Sequence, residues 1–201
     1  MAEKPIKVLV LYGGDKNHKY DRTLQWQVCK FVEGAKSRGA MCEVVQLGAW
    51  EFVAQNARPT NRIRNPLQPL GKKVLGADVL VHATVVHWGK PSALTSLFID
   101  QVEAPLEWGA PKRGRGWKAW GKTLVMITVG DDSGDSAVNG TTQERAQDRG
   151  LFPIGWGSHR KHKAMKRSEN NYQNRPDVVA RIAVEHARRM RGFPPWKSFY
   201  R

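Results

Sequence analysis

Apolar positions fall into short aliphatic runs that alternate with longer stretches in helical rhythm. Ile6-Lys7-Val8-Leu9-Val10-Leu11-Tyr12 is β-branched and aliphatic and halts at Gly13-Gly14, which predicts a first strand. Residues 13–21 are polar. Thr23 to Arg38 then carries Leu24, Val28, Phe31, Val32 and Ala35 at helical spacing, with Gly39 as the stop signal. Met41 to Leu47 predicts a short second strand. Residues 48–70, broken by Pro59, Pro66 and Pro69, predict an irregular surface excursion. Val79 to Thr84 predicts a buried third strand that breaks off at Val85-Val86-His87-Trp88-Gly89-Lys90-Pro91, followed by a helix from Ser92 to Val102. Residues 103–121 read as a second excursion, rich in Gly, Trp and basic residues. Thr123 to Thr128 predicts a fourth strand, 140–148 a helix and Phe152 to Ile154 a short fifth strand. Pro176 to Arg191 closes the pattern with a helix whose Val178, Val179, Ile182, Ala183 and His186 share one face, arginines opposite.

Strands alternating with amphipathic helices predict a parallel five-stranded sheet covered on both faces, a doubly wound α/β fold. The 201 residues suit one domain, with the two excursions and a basic C-terminal tail as its irregular parts. There is no internal repeat, heptad or low-complexity segment.

Charge changes the picture most. The chain holds 33 Lys and Arg against 18 Asp and Glu, a formal +15. Residues 54–73 carry Arg58, Arg62, Arg64, Lys72 and Lys73 with no acid, and residues 155–201 are similarly basic. Such a surface either keeps the protein in solution or attracts phosphorylated ligands, acidic proteins and polyanions. No apolar run approaches the roughly 20 residues of a bilayer span. The N-terminal apolar run is too short for a secretion signal. Cys29 and Cys42 form neither a disulfide framework nor a metal spacing, so free buried thiols in a reducing cytoplasm are expected.

Candidate chemistry gathers where predicted strands end, because open α/β sheets bind ligands at those carboxyl ends. The first such loop, GGDKNHKYDRT, precedes a helix whose free N–H groups and positive dipole suit a phosphate. Gly14, Lys16, His18, Lys19, Tyr20, Asp21, Arg22 and Thr23 are its candidate contacts. It matches neither the GxGxxG nor the GxxxxGK[ST] phosphate motif, and a solvated turn with an Asp or Thr cap fits it as well. In the third loop, Asp131, Asp132 and Asp135 lack the glycine and closing glutamate of a calcium loop, so no metal is expected. His159 and His162 belong to a basic loop on this reading. Ser133 has no base nearby in sequence, and no nucleophilic triad is visible.

The second loop is the most specific. Ala77-Asp78-Val79-Leu80-Val81, the stretch Thr84 to Leu94, and Phe98-Ile99-Asp100 together resemble the flavin-binding region of the flavodoxin-like NAD(P)H-dependent FMN reductases. The branch with multimeric flavodoxins and NAD(P)H:quinone oxidoreductases is the most similar. Gly121-Lys122-Thr123, Thr128-Val129-Gly130, Gly134 and Gly150 to Gly155 resemble the same family. The resemblance implies a flavodoxin-like fold, bound FMN, NADPH or NADH as donor, and a quinone, free flavin or similar small acceptor. It also implies a homodimer or homotetramer that completes the flavin site.

On this reading Thr84, Val85, Val86, His87, Trp88 and Gly89 lie along the isoalloxazine, with Gly89 at its reactive edge. Val129, Gly130, Asp131, Ser133 and Gly134 face the ring from the next loop. Trp88 covers the ring or packs in a core or interface. His87 stabilises reduced flavin or is a loop histidine without a redox role. Lys90 faces solvent. The flavin carries the chemistry, so no acid or base residue is required. Two alternatives remain: a non-enzymatic electron-transfer flavoprotein, which +15 disfavours, and a nucleic-acid-binding protein. The latter would use basic segments interleaved with Trp108, Trp117, Trp120, Trp156 and Trp196.

Overall fold

A computed structural model describes residues 4–18, 20–53, 63–87, 90–108, 122–130, 152–160 and 175–191. The predicted helix at 140–148 lies outside them. Lys7–Gly13 forms β1, Asp21–Lys36 α1 and Met41–Gln46 β2. Gln68–Gly76 forms α2, Val79–His87 β3 and Lys90–Pro91 the short β4. Ala93–Phe98 is α3, continued by a π-helical turn over Ile99–Glu103 into α4, Ala104–Trp108. Thr123–Gly130 is β5, Phe152–Arg160 β6 and Pro176–Arg191 α5.

The expected sheet forms. Its order is β2-β1-β3-β5-β6, every neighbouring pair parallel, with β4 turning back antiparallel on the end of β3. Alternation along the strands splits the core into two layers. Val8, Val10, Val81, Val85 and Ile127 face α1 and α5, meeting Leu24, Phe31, Val179 and Ala183. Leu9, Leu11, Leu80 and Leu124 face the other way, onto Leu70, Val74, Phe98 and Val102. Each such side chain, fully buried, contributes on the order of 2 kcal/mol. Phe31, Val10, Val81 and Ile127 are at most 0% exposed. α1 and α5 cross where Gly34 has no side chain: a Cβ there would stand 2.6 Å from Asp177 Cα. Gly39, at φ +72°, turns the chain from α1 towards β2 in a conformation that glycine tolerates best.

Several expectations need correction. Residues 48–70 are not uniformly irregular. Leu47–Ala49 and Asn65–Leu67 are 3-10 turns, and α2 begins at Gln68. α2 buries only Leu70, Gly71 and Val74, and Pro69 sits in its first turn, where its missing N–H costs nothing. Nine residues holding two glycines and a proline show too little periodicity to be recognised. Gln101 bonds both the N–H and C=O of Val53, at 3.3 and 2.6 Å, tying the chain after β2 to the π-helical turn.

The third strand does not stop at Thr84. It continues to His87 because β5 pairs with it as far as Val85 and β4 pairs with Val86 and His87. The helix after it does not end at Val102 but runs on to Trp108. Pro105 has no N–H and its ring crowds the preceding turn, and the π-helical turn directly before it widens the backbone there. β6 spans nine residues rather than three, so His159 lies on a strand, not in a basic loop. On α5 the buried stripe is Val179, Ala180, Ala183, Val184 and Ala187, while Ile182 is 43% exposed: the small alanines face inward because α1 packs close. Both cysteines are free as expected, but Cys29 is exposed and Cys42 half-buried. No described helix is long and apolar enough to cross a membrane.

Candidate functional site

Parallel register brings the three candidate loops to one rim. Gly13 pairs with Thr84, Thr84 with Thr128 and Val85 with Val129, so β1, β3 and β5 end side by side. The first loop is a tight turn: the His18 N–H donates to the Asp15 carbonyl at 2.8 Å, and the Asn17 N–H to the Asp15 carboxylate at 2.9 Å. α1 then starts at Asp21 with its positive end on the rim.

An acid in that first turn would oppose a bound phosphate. Asp21 does not, because it is turned inward and only 3% exposed. The Tyr12 hydroxyl donates to one of its carboxylate oxygens, and Gln25 Nε2 donates to the other at 2.7 Å. Burial, reinforced by the hydrogen bond to Asp21, pushes the Tyr12 phenol well above its ordinary pKa, so it stays a donor. With the carboxylate so occupied, Lys16 and Arg22 are exposed and Thr23 half-buried at the same end. These residues fit an anion: a positive dipole, two exposed cations and a first-turn acid turned inward, while the exposed carboxylate of Asp15, earlier in the loop, is engaged by the Asn17 N–H. Gly14 has no room for a side chain, since a Cβ would run into Asp21 and the Tyr12 ring.

His18 links the first loop to the second. Its ring stands edge-on to that of His87, centroids 4.4 Å apart and planes at 82°. Its Nδ1 accepts the Tyr20 N–H at 3.3 Å, which places the proton of the neutral ring on Nε2. Tyr20 itself is buried, and its ring lies 5.3 Å from that of His18. Lys90 is exposed. Lys19, Trp88, Gly89, Asp131, Ser133 and Gly134 lie outside the described residues.

The remaining candidates form the floor of the rim. Val85 and Val129 are 0% exposed, their side chains in the α1-facing core, so only their backbone is left for a ligand. Val86 closes against Gly130, where a Cβ would stand 3.1 Å from the Val86 Cβ. The Thr84 hydroxyl is buried and engaged, accepting the Ser92 N–H at 3.0 Å. Ser92, which caps α3, donates its hydroxyl to the Gly13 carbonyl at 2.6 Å. Thr95 fills the space where a Gly13 side chain would be. Sequence reasoning passed over Tyr12, Ser92 and Thr95 as rim-builders; a serine at the start of the predicted helix was the one local signal.

Below the rim, on the same sheet face, His82 Nε2 meets the Glu103 carboxylate at 2.7 Å inside the core. His82 Nδ1 and Thr128 Oγ1 are buried without a hydrogen-bond partner. No cluster of metal-ligating side chains occurs among the described residues.

The comparisons fit this geometry. The structure is similar to that of RosB with a bound 8-demethyl-8-formylriboflavin-5'-phosphate intermediate (TM-score 0.71, 16% identity, 96% of this chain and 82% of that one). It is similar also to the NAD(P)H:quinone oxidoreductase from Methanothermobacter marburgensis (0.65, 13%, 90% and 95%). A flavodoxin from the Archaea matches at 0.57 and 11%, over 91% and 99%. At these identities the likeness establishes the flavodoxin-like fold. No curated protein sequence matches. A family model described as NADPH-dependent FMN reductase matches residues 6–146, which hold β1, β3, β5 and all three rim loops. The chain therefore belongs to the NADPH-dependent FMN reductase family and is an NAD(P)H-dependent oxidoreductase.

Proposed function

We propose that the protein binds FMN on this rim and passes electrons from NADPH or NADH to a quinone, free flavin or similar small acceptor. The family match over residues 6–146 carries the reading. The inward-turned Asp21, whose carboxylate is kept away from a ligand at the start of α1, supports it independently. Bound flavin would supply hydride acceptance and onward electron transfer.

The chain's own groups bind and orient. The N-terminus of α1, with Lys16, Arg22 and Thr23, would hold the phosphate. Gly14 keeps the loop close to the helix, while Lys19, Tyr20 and Asp21 complete the turn. The backbone from Thr84 to His87 and at Val129 and Gly130 would line the ring, with Trp88, Gly89, Asp131, Ser133 and Gly134 completing the slot. His18, holding its proton on Nε2, and His87 present two imidazoles where the first and second loops meet. A homodimer or homotetramer working in the cytoplasm is part of the proposal; the free thiols fit a reducing compartment.

The experiment is an absorption spectrum of the purified protein followed by turnover. Flavin bands that are released as FMN on denaturation, and NAD(P)H oxidation accelerated by a quinone, are the expected results. Protein that takes up no FMN, or that binds FMN yet oxidises neither nucleotide, would overturn the reading. Light scattering reports the oligomer.

A further inference from the structure

The acid-free basic segment at 54–73 ends in Lys72 and Lys73, and this described end leads away from the flavin rim. Lys72 and Lys73 lie on α2, beside the start of β1 and β2, and with Lys7 they border a cavity of about 420 Å3. β1 runs from Lys7 to Gly13, so this cavity is about 20 Å from the flavin rim, at the opposite end of the sheet. Its size falls within the range of small-molecule sites, about 300–1,000 Å3. Leu9, Met41 and Ala77 give it an apolar lining. It exists because β2 is the sheet's edge and only Val45 along it is buried, so α2 leaves a groove beside the edge strand.

The charges of this groove are unbalanced. Glu43 pairs with Lys73. Among the described residues, neither the Lys7 nor the Lys72 ammonium has an ion-pair partner. Asp78, which follows the lining residue Ala77, is occupied by Arg191 at 2.6 Å and by the Lys7 main-chain N–H at 2.8 Å. The fold thus brings cations from residues 65 positions apart in sequence to the border of one largely apolar cavity, where a bound anion would be attracted. Lysine is a compact point charge, suited to a phosphate, sulfonate or carboxylate. We propose that this cavity is a second small-molecule site, independent of the flavin rim, for an organic anion with a compact apolar body.

The probe is 8-anilinonaphthalene-1-sulfonate, titrated by fluorescence into the flavin-loaded protein, with inorganic phosphate as a competitor. One saturable site is expected, weakened by added NaCl and not displaced by excess FMN. The Lys7→Gln/Lys72→Gln double variant should weaken it about tenfold, the scale of two partly screened charges. Gly76 borders the cavity, and a Cβ there meets nothing within 4 Å, so Gly76→Phe should fill the space and remove binding while melting temperature and FMN content stay unchanged. Displacement by FMN would put the probe on the flavin rim and overturn the proposal. So would unchanged affinity in both variants. Competition by phosphate as tight as the probe's own binding would also overturn it, since charge alone would then explain the binding.

Discussion

At the scale of single residues, the rim depends on one buried acid. Asp21→Ala leaves the Tyr12 hydroxyl and the Gln25 amide without their acceptor and should cost about 1–3 kcal/mol in urea unfolding of the apo-protein. FMN affinity under native conditions should hold or improve, because that carboxylate does not face the ligand. A loss of affinity would assign Asp21 a direct contact instead. Lys122 gives a pH signature. Its ammonium donates to the carbonyls of Leu75 and Ala77 at the end of α2, and burial draws its pKa down to about 8, with Asp78 acting the other way. From pH 8 to its unfolded value near 10.5 the unfolded chain binds the extra proton, so this group's contribution to stability rises across that window. Tyr12, its pKa raised, has the opposite sign: its contribution is full below about pH 10 and falls above it. Urea midpoints from pH 7 to 11 should show the rise lost in Lys122→Met and the fall reduced in Tyr12→Phe.

At the scale of elements, the joint between the end of β1 and the start of α3 is one serine. Ser92 caps α3 by accepting the Thr95 N–H at 3.3 Å and ties it to Gly13 at 2.6 Å. Ser92→Ala removes both and should cost about 1–2 kcal/mol. The Gly13 carbonyl loses its donor at the rim, so FMN should also dissociate faster in stopped-flow displacement. A stability loss with unaltered FMN kinetics would mean that the cap serves the helix alone.

At the scale of the molecule, the formal +15 acts as a field rather than as a contact. NADPH carries a phosphate that NADH lacks. The proposed activity should therefore lose kcat/KM for NADPH more steeply than for NADH as NaCl rises from low to physiological ionic strength, where the screening length shrinks to about 8 Å. Parallel salt profiles for the two nucleotides would show that the charge does not guide the donor.

Periodicity alone identified the five parallel strands and the two long helices α1 and α5, because spacing at two or at three and four residues decides which face can be buried; α2, short and glycine-containing, escaped it. It placed the parallel sheet, the Gly39 stop and the bounds of the last helix, and the strand ends marked the rim. What it could not reach were properties fixed by partners distant in sequence. β3 runs to His87 and β6 to Arg160 because a strand extends as far as its neighbours supply hydrogen bonds. The buried face of α5 was decided by how closely α1 approaches at Gly34. Asp21 looked like a ligand in the sequence and points inward because Tyr12, on another element, holds it. Local pattern specifies what an element is; packing between elements decides where it ends and which of its polar groups are left to face a ligand.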